Sequence, residues 1–469
     1  MDRKLPNAVW IELVREGRLP VFALLCLGTW LTAADVLMTA TIMPSVAADI
    51  GGYASFGWAV ALFELGAILA AASSGRMSLR YGLRRGLVLG AGVYTLGCLV
   101  SALAPEIILF LIGRALQGVG GGWIVGLCFV AVTSLFPERL WPLMLAAISG
   151  IWGVATLASP AIGGFFAEIG FWRGAFWFFA MQAIAFGIAI SFLIQDKKPV
   201  LDEKETRATP FAQFAVLTLS VVAISAAGLV HEIALSVLMG VVGIALLVFF
   251  LRLDARASNP LLPSETGKPQ TAVGSGLLMI FALSAGGIAF VVYGPAILQI
   301  VYDVTPLWAG YILGAEALAW TFAALAVASV PIRYDAFFIS LGAFCVFLGI
   351  AGFAYAIPHG PLLLVIICAL LQGAGFGFMW SFAATRIVSN ANEAERSMAS
   401  STVPTAQMIG HAAGAAGAGA IANLIGFGGG IDMTLALKGG FWLFAASAPI
   451  ALLGCVAGLW LSRKRFASA

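Results

Sequence analysis

The segment LIGRALQGVGGGW (111–123) returns later in the chain as CALLQGAGFGFMW (368–380), and its reading decides the fold. Both copies carry Leu-Gln-Gly-x-Gly-x-Gly, so that Gln117, Gly118 and Gly120 of the first correspond to Gln372, Gly373 and Gly375 of the second. Each copy lies in an apolar run and is followed by a polar turn holding Glu-Arg, Glu138-Arg139 and Glu395-Arg396. Small-residue-rich segments come next in both places, SPAIGGFFAEIG (159–170) and GHAAGAAGAGAIANLIG (410–426). Gly-rich membrane helices look alike because small residues let backbones approach closely. The shared order of helix, turn and helix is what identifies an internal repeat, about six helices long and parallel in direction.

The composition around the repeat requires a membrane. Hydrophobic residues make up 61% of the 469 and charged residues only 10%, with a mean hydropathy of +1.01. A soluble surface needs roughly 25% charge, and in lipid an open chain must satisfy its backbone hydrogen bonds within helices. A crossing takes about 20 mostly apolar residues. That length places spans near 21–47, 54–74, 84–104, 107–135, 141–167, 174–194, 211–230, 233–251, 272–301, 306–330, 336–356, 361–385, 398–425 and 440–462. Charge tests this all-α, polytopic arrangement of fourteen transmembrane helices. With the N-terminus inside, every Lys and Arg falls on the cytoplasmic side except Arg114, Arg173 and Lys438. An incorrect span number would scramble that positive-inside asymmetry. Both termini are therefore expected in the cytoplasm. The N-terminal segment MDRKLPNAVWIELVREGRLP has no short apolar core with a small-residue cleavage site, so the first helix is expected to direct insertion itself.

The repeat divides the chain into an N-terminal six-helix half (1–195), a linker with two additional transmembrane helices (196–271) and a C-terminal six-helix half (272–469). The linker contains two polar stretches, DKKPVLDEKETRATP (196–210) and RLDARASNPLLPSETGKPQ (252–270). The first balances acidic and basic residues and reads as a solvated connector. Two parallel halves with a substrate site between them is a transporter architecture.

Four local patterns extend this reading. Helix 1 carries DVLMTATIMPSVAADIG (35–51), with Asp35 followed nine residues later by Pro44. The loop after helix 2 reads GRMSLRYGLRRG (75–86). Helix 4 has Arg114, Gln117, Gly118 and Gly120, and helix 5 has SPAIGG (159–164). Together these resemble the major facilitator superfamily, specifically its fourteen-helix drug/proton antiporter family, over nearly the whole chain. The loop is similar to the superfamily signature Gly-x-Leu-Ala-Asp-Arg-x-Gly-Arg-Arg, matched at Gly75, Arg80, Gly82 and Arg84. It departs at Leu79, where the signature has Asp, and at Leu83, where it has Arg. The resemblance makes that Asp part of a cytoplasmic latch, so the latch here is expected to be weaker or made by other residues. In helix 1 the usual polar residues between Asp and Pro are replaced by Leu37 and Ala40. In helix 5, Pro160, Gly163 and Gly164 match the antiporter pattern Gly-Pro-x-x-Gly-Gly, with Ser159 in place of its first Gly, which implies efflux. The stretches FWRGAF (171–176) and LQIVYDVTPLWAG (298–310) also look like members of the family.

Charges within the spans point to the working residues. A charged side chain at mid-bilayer costs at least about 2.5–3.5 kcal/mol, so one that stays there needs a partner, a wet cavity or a function. Four qualify: Asp35, Glu64, Arg114 and Glu316. Glu64 and Glu316 hold near-equivalent places in the two halves, which predicts opposite walls of one cavity. A carboxylate among apolar groups favours its protonated form, as proton exchange near neutral pH requires. Asp35, Glu64 and Glu316 are expected to take protons or cations, with Arg114 tuning them or holding a carboxylate. The structural alternative is a fixed pair of Arg114 with Asp35 or Glu64. His411, among Gly and Ala, reads more simply as a packed or helix-bonding histidine, and Glu168 with Arg173 as a surface pair. Trp58, Trp123, Trp152, Trp320 and Trp380 are candidates for an aromatic cavity lining.

The expected function is proton-coupled antiport that exports small amphipathic, cationic or neutral compounds. Acidic residues outnumber basic ones within the spans, which disfavours anionic cargo. The alternative is narrow-specificity transport of an endogenous metabolite or lipid-like molecule. A membrane-embedded enzyme would need clustered catalytic groups. Here His231, His359 and His411 are scattered and no acidic cluster lies within the spans, and a channel would need a filter-like repeat. The six cysteines all fall in apolar segments without a CxxC pair and read as core residues, so no metal site and no cofactor is expected. A net charge of +3 gives no reason to expect nucleic acid. The partners expected are a small-molecule substrate, protons and the lipid bilayer, with a monomer as working unit in a bacterial inner membrane.

Overall fold

The structure, a computed structural model, describes residues 15, 17–137, 140–195, 211–227, 230, 232–257 and 260–463. Its helices are α1 (Leu19–Ile50), α2 (Phe56–Tyr81), α3 (Leu83–Ala102), α4 (Ile107–Leu135), α5 (Trp141–Glu168), α6 (Arg173–Leu193) and α7 (Phe211–Ala227). They continue as α8 (Ile233–Ala255), α9 (Ala272–Tyr302), α10 (Pro306–Val327), α11 (Asp335–His359), α12 (Leu362–Asn390), α13 (Arg396–Ile425) and α14 (Met433–Arg463). Thirteen of them are long and apolar enough to cross a membrane, and α7 is apolar but shorter. Among the described residues there is no strand. The acidic-basic stretch 196–210, the Glu138-Arg139 turn and His231 lie outside the described residues. The protein is an all-α, multi-pass membrane protein.

Helix α14 begins at Met433, earlier than the apolar run at 440. A helix needs no apolar residue in its first turns, and the long side chain of Lys438 can reach the interface from inside one. Four glycines fix how the helices of each half approach. A Cβ at Gly118 or Gly122 would meet the carbonyls of Phe63 and Ala67, so α4 lies backbone-to-backbone on α2. Gly373 and Gly377 of α12 meet the carbonyls of Glu316 and Trp320 of α10 in the same way. The pairing recurs throughout. α3 packs on α4 and α6, and α1 on α5, while α11 packs on α12 and α14, and α9 on α13.

Two seams join the halves, α2 against α13 and α5 against α10. The extra hairpin α7–α8 closes on itself, Ser220 donating to the Gly243 carbonyl at 2.7 Å. It lies on the α2–α13 side, through contacts of α7 with both helices. Helix α9 is central, with 83% of its most apolar stretch buried, against 17% for α8 at the lipid-facing edge.

The start of α1 and the end of α14 define a terminal face, and the α1–α2 and α13–α14 turns define the distal face. At the distal face the halves touch. Asn423 donates to the Ala54 carbonyl at 2.9 Å, Phe56 stacks on Tyr293 at 5.7 Å, and Gly57 leaves room for the Ala415 carbonyl. Along α5–α10 the gap widens toward the terminal face. A Cβ on Gly164 would lie 2.5 Å from Leu307 and one on Gly314 3.0 Å from the Thr156 carbonyl. One on Gly153 would lie 3.9 Å from Thr321, and one on Gly150 would find nothing within 4 Å. Gly75, at the terminal end of α2, likewise has nothing within 4 Å. Among the described residues, the α5–α10 seam is closed distally and opens as a cleft toward the terminal face.

Candidate functional site: the charges between and within the halves

The four charged residues singled out in the sequence fall into three separate arrangements. Asp35 and Arg114 form one ion pair inside the first half. Arg114 Nη1 donates to both carboxylate oxygens of Asp35, at 3.0 and 2.9 Å. The same nitrogen reaches Gln117 Oε1 at 2.7 Å, while Thr39 donates to Asp35 at 3.2 Å. Asp35 is 0% and Arg114 1% exposed, and the guanidinium sits 4.5 Å from the Phe63 ring centre. A pair this dry holds together because separating the charges would leave each buried without compensation. Gln117 ties it onward to Cys98 Sγ at 3.1 Å. The arrangement cross-links α1 and α4 and is sealed from the cleft.

Glu64 is placed differently. It lies two turns from Gly57 along α2, on the face that meets α13, and its Oε1 is 3.4 Å from His411 Nδ1. The contact bridges the two halves across the seam. The histidine, read from sequence as a packed residue, is thus the partner of a membrane carboxylate.

Glu316 turns inward on its own half. Gln372 Nε2 donates to Glu316 Oε1 at 2.6 Å and to the Gly287 carbonyl at 3.3 Å. Glu316 Oε2 and Gln372 Oε1 are both buried without a hydrogen-bond partner. Two acceptors face a shortage of donors, and a proton on the carboxylate would supply one. One turn further, Trp320 stacks on Phe376 at 5.0 Å and lies 5.3 Å from Trp380. Two of the five tryptophans proposed for an aromatic lining are thus gathered beside this carboxylate. Trp123 instead donates to Ser73 at 2.9 Å.

The equivalence of Glu64 and Glu316 is one residue out. Gly118 and Gly373 are repeat partners, and the carbonyls they meet belong to Phe63 and Glu316. Phe63 therefore occupies the place of Glu316, and Glu64 is turned by about 100° from it, toward the other half. The predicted opposite walls become one carboxylate at the seam and one inside a half.

Other sequence expectations shift as well. Arg173 pairs with Asp49, not with Glu168, and donates to the Ala104 carbonyl at 2.9 Å. Arg386 lies within α12, 4% exposed, and pairs with Asp335 at 2.5 Å. It also donates to the Leu461 and Ser462 carbonyls at 2.9 and 2.8 Å, so α11, α12 and α14 are pinned together at the terminal face. The sequence signal was present, an Asp opening one span and an Arg closing the next, but it resembles ordinary positive-inside loop charge.

The helix-5 pattern serves close approach in two directions. A Cβ on Gly163 would lie 3.0 Å from the Met38 carbonyl of α1, whereas Gly164 faces Leu307 across the seam. Pro160, inside α5, lies against Gly310 of α10. In the helix 2–3 loop, Gly82 has φ +85°, a left-handed conformation that suits glycine, and donates to the Ser78 carbonyl at 2.9 Å. Arg80 rests over Tyr81, and Arg84 lies in the first turn of α3.

Two pseudo-equivalent helical halves, a cleft between them and carboxylates at and beside their seam define a membrane transporter. The chain belongs to the Major Facilitator Superfamily, whose description matches residues 25–334. A protein of Mycobacterium tuberculosis named as a probable multidrug-efflux transporter is 30% identical over 90% of this chain and 92% of its own length. Multidrug resistance protein 3 of Bacillus subtilis is 22% identical over 81% of this chain and 74% of its own. Among solved structures, a bacterial homologue of the human lysosomal transporter Spinster aligns with a TM-score of 0.67 at 12% identity, covering 95% and 97% of the two chains. The D-xylose-proton symporter aligns with 0.62 at 17% identity, covering 94% and 97%.

Proposed function

We propose that this transporter is a proton-coupled antiporter that exports small amphipathic compounds, cationic or neutral, by alternating access. The observation that carries the reading is Glu316, a carboxylate with one buried, unpartnered oxygen one turn from the Trp320–Phe376–Trp380 cluster. Aromatic faces and a carboxylate together attract an amphipathic cation. The same oxygen is satisfied by a proton when the cation leaves. A relative named as a probable multidrug-efflux transporter and another named as a multidrug resistance protein support the same direction.

The positive-inside rule makes the terminal face cytoplasmic, so the cleft opens to the cytoplasm of a bacterial inner membrane. The halves 1–195 and 272–469 rock as two bodies, connected by 196–271, with a monomer as the working unit. Substrate enters the cleft from the cytoplasm and displaces the proton. The halves then rock to open the distal face, and a proton from outside discharges the substrate there. Asp35 and Arg114 act on this cycle by holding α1 and α4 in register, and Gln117 extends that hold to α3.

Liposomes containing the purified protein and an internal pH indicator test the reading under an imposed proton gradient with a panel of amphipathic cations. Substrate-dependent proton flux, lost in Glu316→Gln, is the expected result. A folded protein that moves substrate with no proton movement would refute proton coupling.

A further inference from the structure

We infer that His411 is a proton-coupling residue, and that its charged form, paired with Glu64 across the α2–α13 seam, holds the distal face closed. The inference rests on the proton-coupled reading of the transporter and assigns it a second titrating group.

Helix α13 divides its small residues between two neighbours. Gly410 and Gly414 lie against the Phe281 and Ala285 carbonyls of α9, within the same half. His411, Ala415 and Gly419 repeat every fourth residue on a different stripe, which is turned to α2. Ala415 and Gly419 meet Gly57, and His411 meets Glu64 at 3.4 Å. The imidazole therefore sits at the sliding contact between two bodies, where a close helix pair at the distal end begins to open toward the cleft. Its side chain is 26% exposed and that of Glu64 9%. Protons can reach the histidine, while the carboxylate is screened enough for the charge to matter.

The surroundings leave Glu64 as the charge His411 answers to. Helix α7 carries no charged residue, and α9 contributes only the neutral Tyr293 and Tyr302 as titratable oxygens. On α2, Arg76 and Arg80 are about three turns or more away from Glu64 toward the terminal face. Arg396 opens α13 itself about four turns from His411, and Glu393 and Glu395 lie just before it. Arg386 and Cys368 belong to α12, where Arg386 is paired with Asp335. Lys438, Cys455 and Arg463 belong to α14. Glu64 is the charge that meets the imidazole, at 3.4 Å.

A protonated His411 makes a charge-assisted pair with Glu64, and a neutral one leaves a weak contact at most. The pair exists only where α2 and α13 are together, so protonation favours the distally closed state by whatever it adds there. The direction matches antiport. A proton taken from outside closes the outer face and turns the cleft inward, and its loss inside frees the seam to open outward with substrate.

The test places fluorophores through noncanonical residues at positions 103 and 424. Leu103 and Leu424 are exposed and lie at the distal face of opposite halves. Distances are recorded in lipid nanodiscs without substrate between about pH 5 and pH 8. As pH rises, the ratio of short to long distances is expected to fall about fivefold or more. The fall is expected to vanish in His411→Gln and in Glu64→Gln, and His411→Lys should keep the short distance throughout. A pH response in His411→Gln equal to that of wild type would overturn the inference. So would a short distance in His411→Lys that is lost at high pH as in wild type. If the distances behave as expected but wild-type liposomes show no substrate-driven proton flux, the latch stands and the antiport reading fails.

Discussion

Where the first half carries Arg114 on its fourth helix, the second carries Ala369, the repeat partner four residues after Val365. Where the second half opens its third helix with Asp335 and answers it with Arg386, the first has Leu83 and Ala131. The same scaffold thus holds its fixed ion pair at mid-bundle in one half and at the terminal face in the other. Mid-bundle in the second half there is instead a carboxylate bonded to a neutral amide, Glu316 with Gln372. A buried ion pair resists any change of protonation, because losing one charge strands the other. A carboxylate–amide pair has no such constraint. Under the proposed proton-coupled antiport, the difference gives the halves unequal tasks. The first is clamped through its centre, and the second is clamped at its end and free to titrate in its middle. The Leu79 departure in the helix 2–3 loop belongs to the same contrast, since the buried carboxylate at a terminal corner is found in the second half.

The comparison can be broken most forcefully at Arg114. Arg114→Ala leaves Asp35 buried and unpaired, and is expected to cost about 3–5 kcal/mol in denaturant unfolding of the micelle-solubilised protein. Adding Asp35→Leu, which makes the first half resemble the second, should recover most of that loss. Asp335→Asn keeps the shape of the terminal clamp but removes its charge, for about 1.5–3 kcal/mol by the same measurement. Gly57→Val forces a side chain against the Ala415 carbonyl and should destabilise the distally closed state by about 1–3 kcal/mol. It should appear as slowed transport by a folded protein, whereas Gly75→Val, with open space around it, should transport nearly as wild type. Glu316→Gln should shift unfolding by less than about 1 kcal/mol, since an amide can still accept from Gln372, while markedly weakening the response of transport to pH. The sign of that response follows from competition. Cation binding by wild type should weaken as pH falls, because a protonated carboxylate no longer attracts the cation.

Much of this was legible in the sequence. Span number, the repeat and the identity of the membrane carboxylates follow from hydropathy and from Gln117–Gly118–Gly120 recurring at Gln372–Gly373–Gly375. What a single chain could not display is rotation about a helix axis. Glu64 and Glu316 each follow shortly after a Trp and look near-equivalent, yet a one-residue offset turns one to the seam and the other inward. The Glu64–His411 contact joins residues from different halves, so neither local spacing nor the repeat announces it. Asp335–Arg386 was hidden for another reason. Charges at helix ends are the normal signature of membrane topology, and only burial separates a clamp from a loop residue.

Proton release on substrate binding examines the division between fixed and titrating charge most directly. The purified protein, in weakly buffered detergent with a pH indicator, would be mixed with an amphipathic cation such as ethidium, with Asp35→Asn and Glu316→Gln alongside wild type. Wild type and folded Asp35→Asn should release protons as the cation binds, and Glu316→Gln should release markedly fewer. Release that disappears in Asp35→Asn and persists unchanged in Glu316→Gln would place the titrating group inside the first half and contradict the assignment.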